Sequence, residues 1–167
     1  MTLEIVWSNI PIMMKWLEHK IPPPVIFALC AGLAWLFAEW IPNPLEVSAN
    51  GKQLLAAGLA MLGFGVAFAA LFEFKREQTT VDPHRPDRAS ALVVRGIFRF
   101  SRNPMYLGLL LVLTAWVIYL AHPAGLLVLP VLVSYLSRFQ IRPEERILQQ
   151  KFGADYDDYC REVRRWI

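Results

Sequence analysis

Apolar residues in this chain fall in blocks. Residues 24–41 are almost entirely apolar, with Glu39 their one charge, and the stretch from Leu54 to Phe72 carries no charge at all. A third run covers 104–121 and a fourth 124–139. A helix crosses the hydrocarbon of a bilayer with roughly 17–25 apolar residues. The first three runs meet that length; the fourth is short and holds Pro130 in its middle. The pattern predicts transmembrane helices over 24–41, 54–74, 104–121 and 124–139. His122 and Pro123, between the last two, are too brief for a soluble excursion and predict the tight turn of a helical hairpin. Ahead of the first run, Ile5, Val6, Ile10, Met13, Met14 and Leu17 form one apolar face, with Trp7 and Trp16 suited to an interface. They predict an amphipathic helix over 1–20, lying on the membrane and bent at Pro11. Pro11, Lys15, Glu18, His19 and Lys20 break this stretch, and no cleavable signal peptide is expected from it. In the second run Ala56, Ala60, Gly63 and Ala67 are small residues that let helices approach closely in lipid.

Composition and charge sharpen this layout. The 167 residues have room for one domain. Only 19% are charged, against about 25% in a soluble domain. Of the 17 basic residues, Lys52 alone falls between the first two runs; the others precede the first run, lie between the second and third, or follow from the end of the fourth. Such an asymmetry orients membrane proteins, with the basic side cytoplasmic. Both termini, a loop over 75–103 and a C-terminal segment over 140–167 are therefore expected on that side. The net charge of +3 then reflects topology and anionic headgroups and not a nucleic-acid partner. Cys30 and Cys160 lie far apart and suggest neither a disulfide framework nor a zinc site. The fold expected is all-α: a multi-pass transmembrane helical bundle with a hairpin and a C-terminal helical segment closing a site on the basic side.

Three features exceed plain membrane packing. In Arg102-Asn103-Pro104-Met105-Tyr106-Leu107-Gly108, Pro104 suits the first turn of a helix, where its missing N–H costs nothing. Arg102 and Asn103 then sit at a helix mouth whose free N–H groups attract anions. Glycine at 108 leaves room for a ligand or a neighbouring helix. The alternative is a capped helix start with interfacial arginines. The second feature, Arg142-Pro143-Glu144-Glu145-Arg146, places two carboxylates beside arginines, as charge balance or as a binding site for a cationic or hydroxyl-rich ligand. In the third, Gly153 ends one short helix, Asp155 caps the next, and Tyr156 and Tyr159 pack back on the bundle.

The seven residues from Arg102 to Gly108 resemble the Arg-His-Pro-x-Tyr-x-Gly signature of the isoprenylcysteine carboxyl methyltransferase and phospholipid methyltransferase superfamily. The order that follows is similar too: a hairpin, the Glu144-Glu145 pair, Phe152-Gly153, two tyrosines three apart and a basic tail, one register from about Thr79 to Trp166. The resemblance implies an integral membrane enzyme that uses S-adenosylmethionine. It implies that Arg102, Asn103, Tyr106, Leu107, Gly108, Glu144 and Glu145 bind that cofactor, while Arg142, Arg146 and Glu145 serve the reaction. The acceptor implied is lipid-like and reaches the site from the bilayer: an isoprenylcysteine-type carboxylate, or an aminophospholipid in the alternative. Asn103 departs from the signature, because asparagine hydrogen-bonds but cannot take a proton. No metal is implied, since no His/Cys cluster has ligand spacing. Two competing readings are a nicotinamide-dependent enzyme like the sterol reductases, which are much longer, and a non-catalytic membrane module.

Overall fold

A computed structural model describes residues 18, 20–44, 49–77 and 92–167. Among them are six α-helices and no strand: α1 (Pro23–Trp40), α2 (Ala49–Arg76), α3 (Pro104–Leu120), α4 (Val128–Leu136), α5 (Arg142–Phe152) and α6 (Ala154–Glu162). The interfacial helix expected over 1–20 lies outside the described residues except for Glu18 and Lys20. So do residues 78–91 of the loop expected between the second and third runs.

Among the described residues, three helical runs are long and apolar enough to cross a membrane: Pro23–Trp40, Gly51–Arg76 and Pro123–Phe152. Their outward side chains, such as Leu29 and Trp35 on α1 or Leu54, Phe64 and Phe68 on α2, are exposed. In a bilayer these faces meet acyl chains, against which apolar side chains carry no solvation penalty. α3 is the shorter apolar helix, 17 residues, about 26 Å at 1.5 Å per residue.

The fourth apolar run differs most from expectation. Past its last apolar residues the chain stays helical, as one run, to Phe152. Two prolines fall within this run, and local geometry absorbs both. Pro130 lies in the first turn of α4, where a missing N–H is tolerated, after a 3-10 turn over Pro123–Leu127. Pro143 lies in the first turn of α5, where its ring would crowd the carbonyl of Phe139 in a continuous α-helix. A π-turn over Ser137–Ile141 widens the backbone just there. The C-terminal segment therefore starts as a rigid continuation of the membrane helix.

The hairpin turn between α3 and this run is tight. Ala121 closes α3 in the left-handed region at φ 52°, and Asn43 Nδ2 donates to its carbonyl at 3.0 Å. His122 is buried, and its Nδ1 accepts from the Ala124 amide at 3.3 Å.

α3 is central. α1 packs on α3 and α4, while α2 runs along α3. The core between α1, α3 and α4 includes Ala34, Leu113, Val117, Leu132 and Leu136, and Trp116 Nε1 donates to the Ala31 carbonyl at 3.0 Å. α2 and α3 cross at glycine on both sides. A Cβ added at Gly108 would lie 2.6 Å from the Gly63 carbonyl oxygen, and one at Gly63 would lie 2.8 Å from that of Gly108. A second cluster joins Ala70 of α2, Val93, Phe98, Tyr156, Tyr159 and Val163. It docks α6 beside the start of α3, and Tyr159 Oη donates to the Phe98 carbonyl at 2.7 Å.

Candidate functional site

Where α3 begins, three chain segments meet. Pro104 starts the helix and Asn103 is its N-cap residue, yet the Asn103 side chain does not cap it. Asn103 Nδ2 instead donates to the Arg165 carbonyl at 2.9 Å, while its own amide is accepted by Ser101 Oγ at 3.1 Å. The Arg102 amide donates to the Arg164 carbonyl at 3.0 Å. These two long-range bonds lay the C-terminal tail across the α3 start. Trp166 Nε1 completes the strap by donating to Ser137 Oγ at 3.3 Å.

The tail brings Arg165 onto α5. Its Nε and Nη2 donate to the two oxygens of Glu145 at 2.9 and 2.7 Å, a bidentate fork that is among the stronger polar contacts available to a protein. Arg102 Nη2 approaches the same carboxylate at 3.3 Å, and Arg102 Nη1 donates to Cys160 Sγ. Arg102 Nε is buried without a partner. One carboxylate thus sits between two guanidiniums, one of them with an unused donor. One residue away, Tyr106 Oη donates to Glu144 Oε1 at 2.5 Å, tying the first turns of α3 and α5 together.

This arrangement opens on a cleft of about 570 Å³ lined by Arg102, Arg142, Glu145, Arg146, Gln149, Gln150, Tyr156, Cys160 and Arg165. Small-molecule sites commonly enclose roughly 300–1,000 Å³. Burial, followed by the nearby Glu145 carboxylate and Cys160, pushes the Tyr156 hydroxyl above the ordinary phenol range; the Arg102 guanidinium opposes this. Tyr159 is pushed up as well, by burial first, again against Arg102. Both phenols therefore stay protonated at neutral pH and act as hydroxyl donors. Hydrogen bonding to Glu145 raises Arg165 further, so that partner is permanently cationic.

Of the residues singled out in the sequence, Arg102, Arg142, Glu145 and Arg146 line the cleft. Tyr106 is buried in the core beside it, and Glu144 is its partner. Gly108 is set against Gly63 and Ala67 of α2, which makes it a helix-crossing residue. The backbone amide of Leu107 bonds to the Asn103 carbonyl. Asp155 lies in the first turn of α6, whose N-cap residue is Gly153, with no side-chain cap. Gln149, Gln150, Tyr156, Cys160 and Arg165 were missed. For α5 a signal existed: Arg142, Glu145, Arg146 and Gln149 recur at helical spacing and mark one polar face. His122 belongs to the hairpin turn between α3 and α4, far along the bundle from the start of α3.

What such a cleft can hold follows from its donors. Two guanidiniums, one with a spare buried donor, suit a carboxylate; Glu145, the glutamine amides and the Tyr156 hydroxyl suit an ammonium or sugar hydroxyls. A ligand carrying both kinds of group fits. Among the described residues no group of three or more His, Cys, Asp or Glu is arranged to hold a metal ion.

A family model described as phospholipid methyltransferase matches residues 52–155, from the start of α2 to the first turn of α6. An uncharacterized protein of Haemophilus influenzae is 41% identical over 63 residues, which are its whole length and 38% of this chain. No solved structure matches the chain.

Proposed function

The chain belongs to the phospholipid methyltransferase family and is built to span a membrane, and from that premise we propose that it transfers a methyl group from S-adenosylmethionine to a lipid-like acceptor. The observation that carries this reading is the cleft where Arg102, Glu145 and Arg165 converge at the membrane exit of the last spanning helix. When bound, the cofactor supplies an electrophilic methyl on a sulfonium, whose transfer needs an aligned and partly dehydrated nucleophile.

The chain's own residues have these roles in the proposal. Arg102, with its unused Nε, and Arg165 receive the cofactor carboxylate. Glu145 and the Tyr156 hydroxyl receive its ammonium or ribose hydroxyls. Tyr106 and Glu144 fix the spacing of α3 and α5, and Asn103 fixes the tail that delivers Arg165. Arg142 and Arg146 face the acceptor and attract its anionic group. The basic side of the bundle, carrying the cleft, is the cytoplasmic side.

An acceptor carboxylate needs no proton removed before it attacks, which suits a cleft with Asn103 nearby where the signature has histidine, so an isoprenylcysteine-type carboxylate is the acceptor proposed. A second reading, methylation of a phospholipid amine, is favoured by the family's description. One experiment separates them. The full chain in lipid nanodiscs receives methyl-labelled cofactor with a farnesylated cysteine analogue or with phosphatidylethanolamine. The carboxylate reading expects label on the analogue as a base-labile ester. Base-stable label on the phospholipid replaces it with the amine reading, and no transfer to either rejects both acceptors.

A further inference from the structure

Arg146 lines the cleft, but its guanidinium is held from outside the family-matched region. Glu18, just ahead of α1, accepts from Arg146 Nη2 and lies 3.8 Å from Arg138 Nη1. Its side chain is 14% exposed, against 50% for Arg146. The same segment is pinned three residues on, where Gln140 Nε2 donates to the Ile21 carbonyl at 2.8 Å. Arg138 and Arg146 stand eight residues apart on one helical run, the first within the π-turn and the second in α5, and their side chains converge on one carboxylate.

That carboxylate fills the place incompletely. Glu18 Oε1 is buried and lacks a hydrogen-bond partner, because 3.8 Å is too long for a hydrogen bond. A buried anion's oxygen left in this state is costly. The location matters too: the buried apolar core of this run ends at Ile141, and Arg142, Glu144, Glu145, Arg146 and Lys151 follow within ten residues, the composition of a helix leaving an apolar medium for a charged one. Arginines at such a boundary attract anionic lipid.

We propose that Arg138 and Arg146 form a cradle for an anionic lipid headgroup, and that Glu18 is an intramolecular anion occupying it, displaced when such a headgroup arrives. The ligand chemistry is a phosphate or carboxylate borne by a lipid. A phosphate offers more acceptor oxygens than Glu18 and can reach both guanidiniums at once. Displacement also frees Arg146 toward the neighbouring cleft. The inference concerns lipid selectivity and holds whether or not the cleft transfers a methyl group; failure of cofactor binding would leave it untouched.

The test is the association of spin-labelled lipids with the full chain in phosphatidylcholine membranes. Selectivity for phosphatidic acid, and separately for stearic acid, is measured relative to phosphatidylcholine. Removing the competing carboxylate in Glu18→Gln should raise selectivity for the anionic probe about fivefold, the worth of roughly one ion pair near a surface. A rise for phosphatidic acid alone identifies a phosphate cradle, and a rise for stearic acid as well identifies a general anion cradle. Glu18→Asp should stay near the starting protein. Arg146→Gln, a half-exposed position, should lower selectivity by itself and cancel the gain when combined with Glu18→Gln. A merely structural ion pair predicts otherwise: in Glu18→Gln protein with its helical content intact, selectivity unchanged or lowered overturns the proposal. Should Glu18→Gln not fold, selectivity in Arg146→Gln equal to that of the starting protein overturns it equally.

Discussion

Glu145→Ala is expected to abolish high-affinity binding of S-adenosylmethionine while leaving the helices in place. In the resting protein its carboxylate takes two hydrogen bonds from Arg165 and the approach of Arg102. Removal costs the ligand a charged hydrogen-bond partner, worth about 1.5–3 kcal/mol, which is roughly a ten- to hundredfold weaker dissociation constant. It also leaves two guanidiniums facing each other across the cleft and releases the grip of α5 on the tail. Arg165 is about one-third exposed, so solvent screens part of that repulsion, and the thermal midpoint should fall less than the affinity does. Binding of labelled cofactor and thermal unfolding, measured on the same preparation, check this. Unchanged affinity in Glu145→Ala would remove Glu145 from the ligand site.

Gly108→Val is expected to separate α2 from α3. The added Cβ alone would sit 2.6 Å from the Gly63 carbonyl oxygen and 3.0 Å from Ala67 Cβ. The first of these obstacles is backbone and cannot rotate away, so the helices must part. Overpacking of this kind costs about 1–3 kcal/mol, and here it also undoes the close backbone approach by which membrane helices associate. Because Arg102 and Asn103 precede the same helix, ligand binding should weaken together with stability. Gly108→Ala separates this account from the cofactor-lining role that the sequence motif implied. A helix-crossing glycine loses thermal stability on gaining one methyl group. A glycine that only lines the cleft would keep its stability and lose affinity.

These two residues illustrate what the sequence makes legible. Hydropathy alone reveals where the membrane helices lie, because run length and the near absence of charge are local properties. It does not reveal that the helix continues beyond the last apolar run. Pro143 and the charges after residue 139 look like a terminus, whereas a π-turn carries the helix past them. That compensation is a backbone adjustment with no residue signature. Arg102 and Glu145 are visible because each sits in a dense short motif. Arg165 is not, since a tail rich in arginine has the composition of a membrane-surface anchor. What sets it apart is the pairing of the Arg164 and Arg165 carbonyls with Arg102 and Asn103, a contact across some sixty residues that periodicity cannot encode. Gly108 is ambiguous for a similar reason. The spacing of Gly63 and Ala67 announces a close helix contact but does not name the partner.

The central claim is that the cleft between α3, α5 and the tail is a site for S-adenosylmethionine. Its most direct test is titration of labelled S-adenosylmethionine, and separately of NADPH, into the intact chain in lipid nanodiscs with folding verified by circular dichroism. The account predicts saturable, one-site binding of S-adenosylmethionine that S-adenosylhomocysteine displaces, with no saturable binding of NADPH. Folded protein that fails to bind S-adenosylmethionine at high concentration, or that binds NADPH in its place, would contradict it.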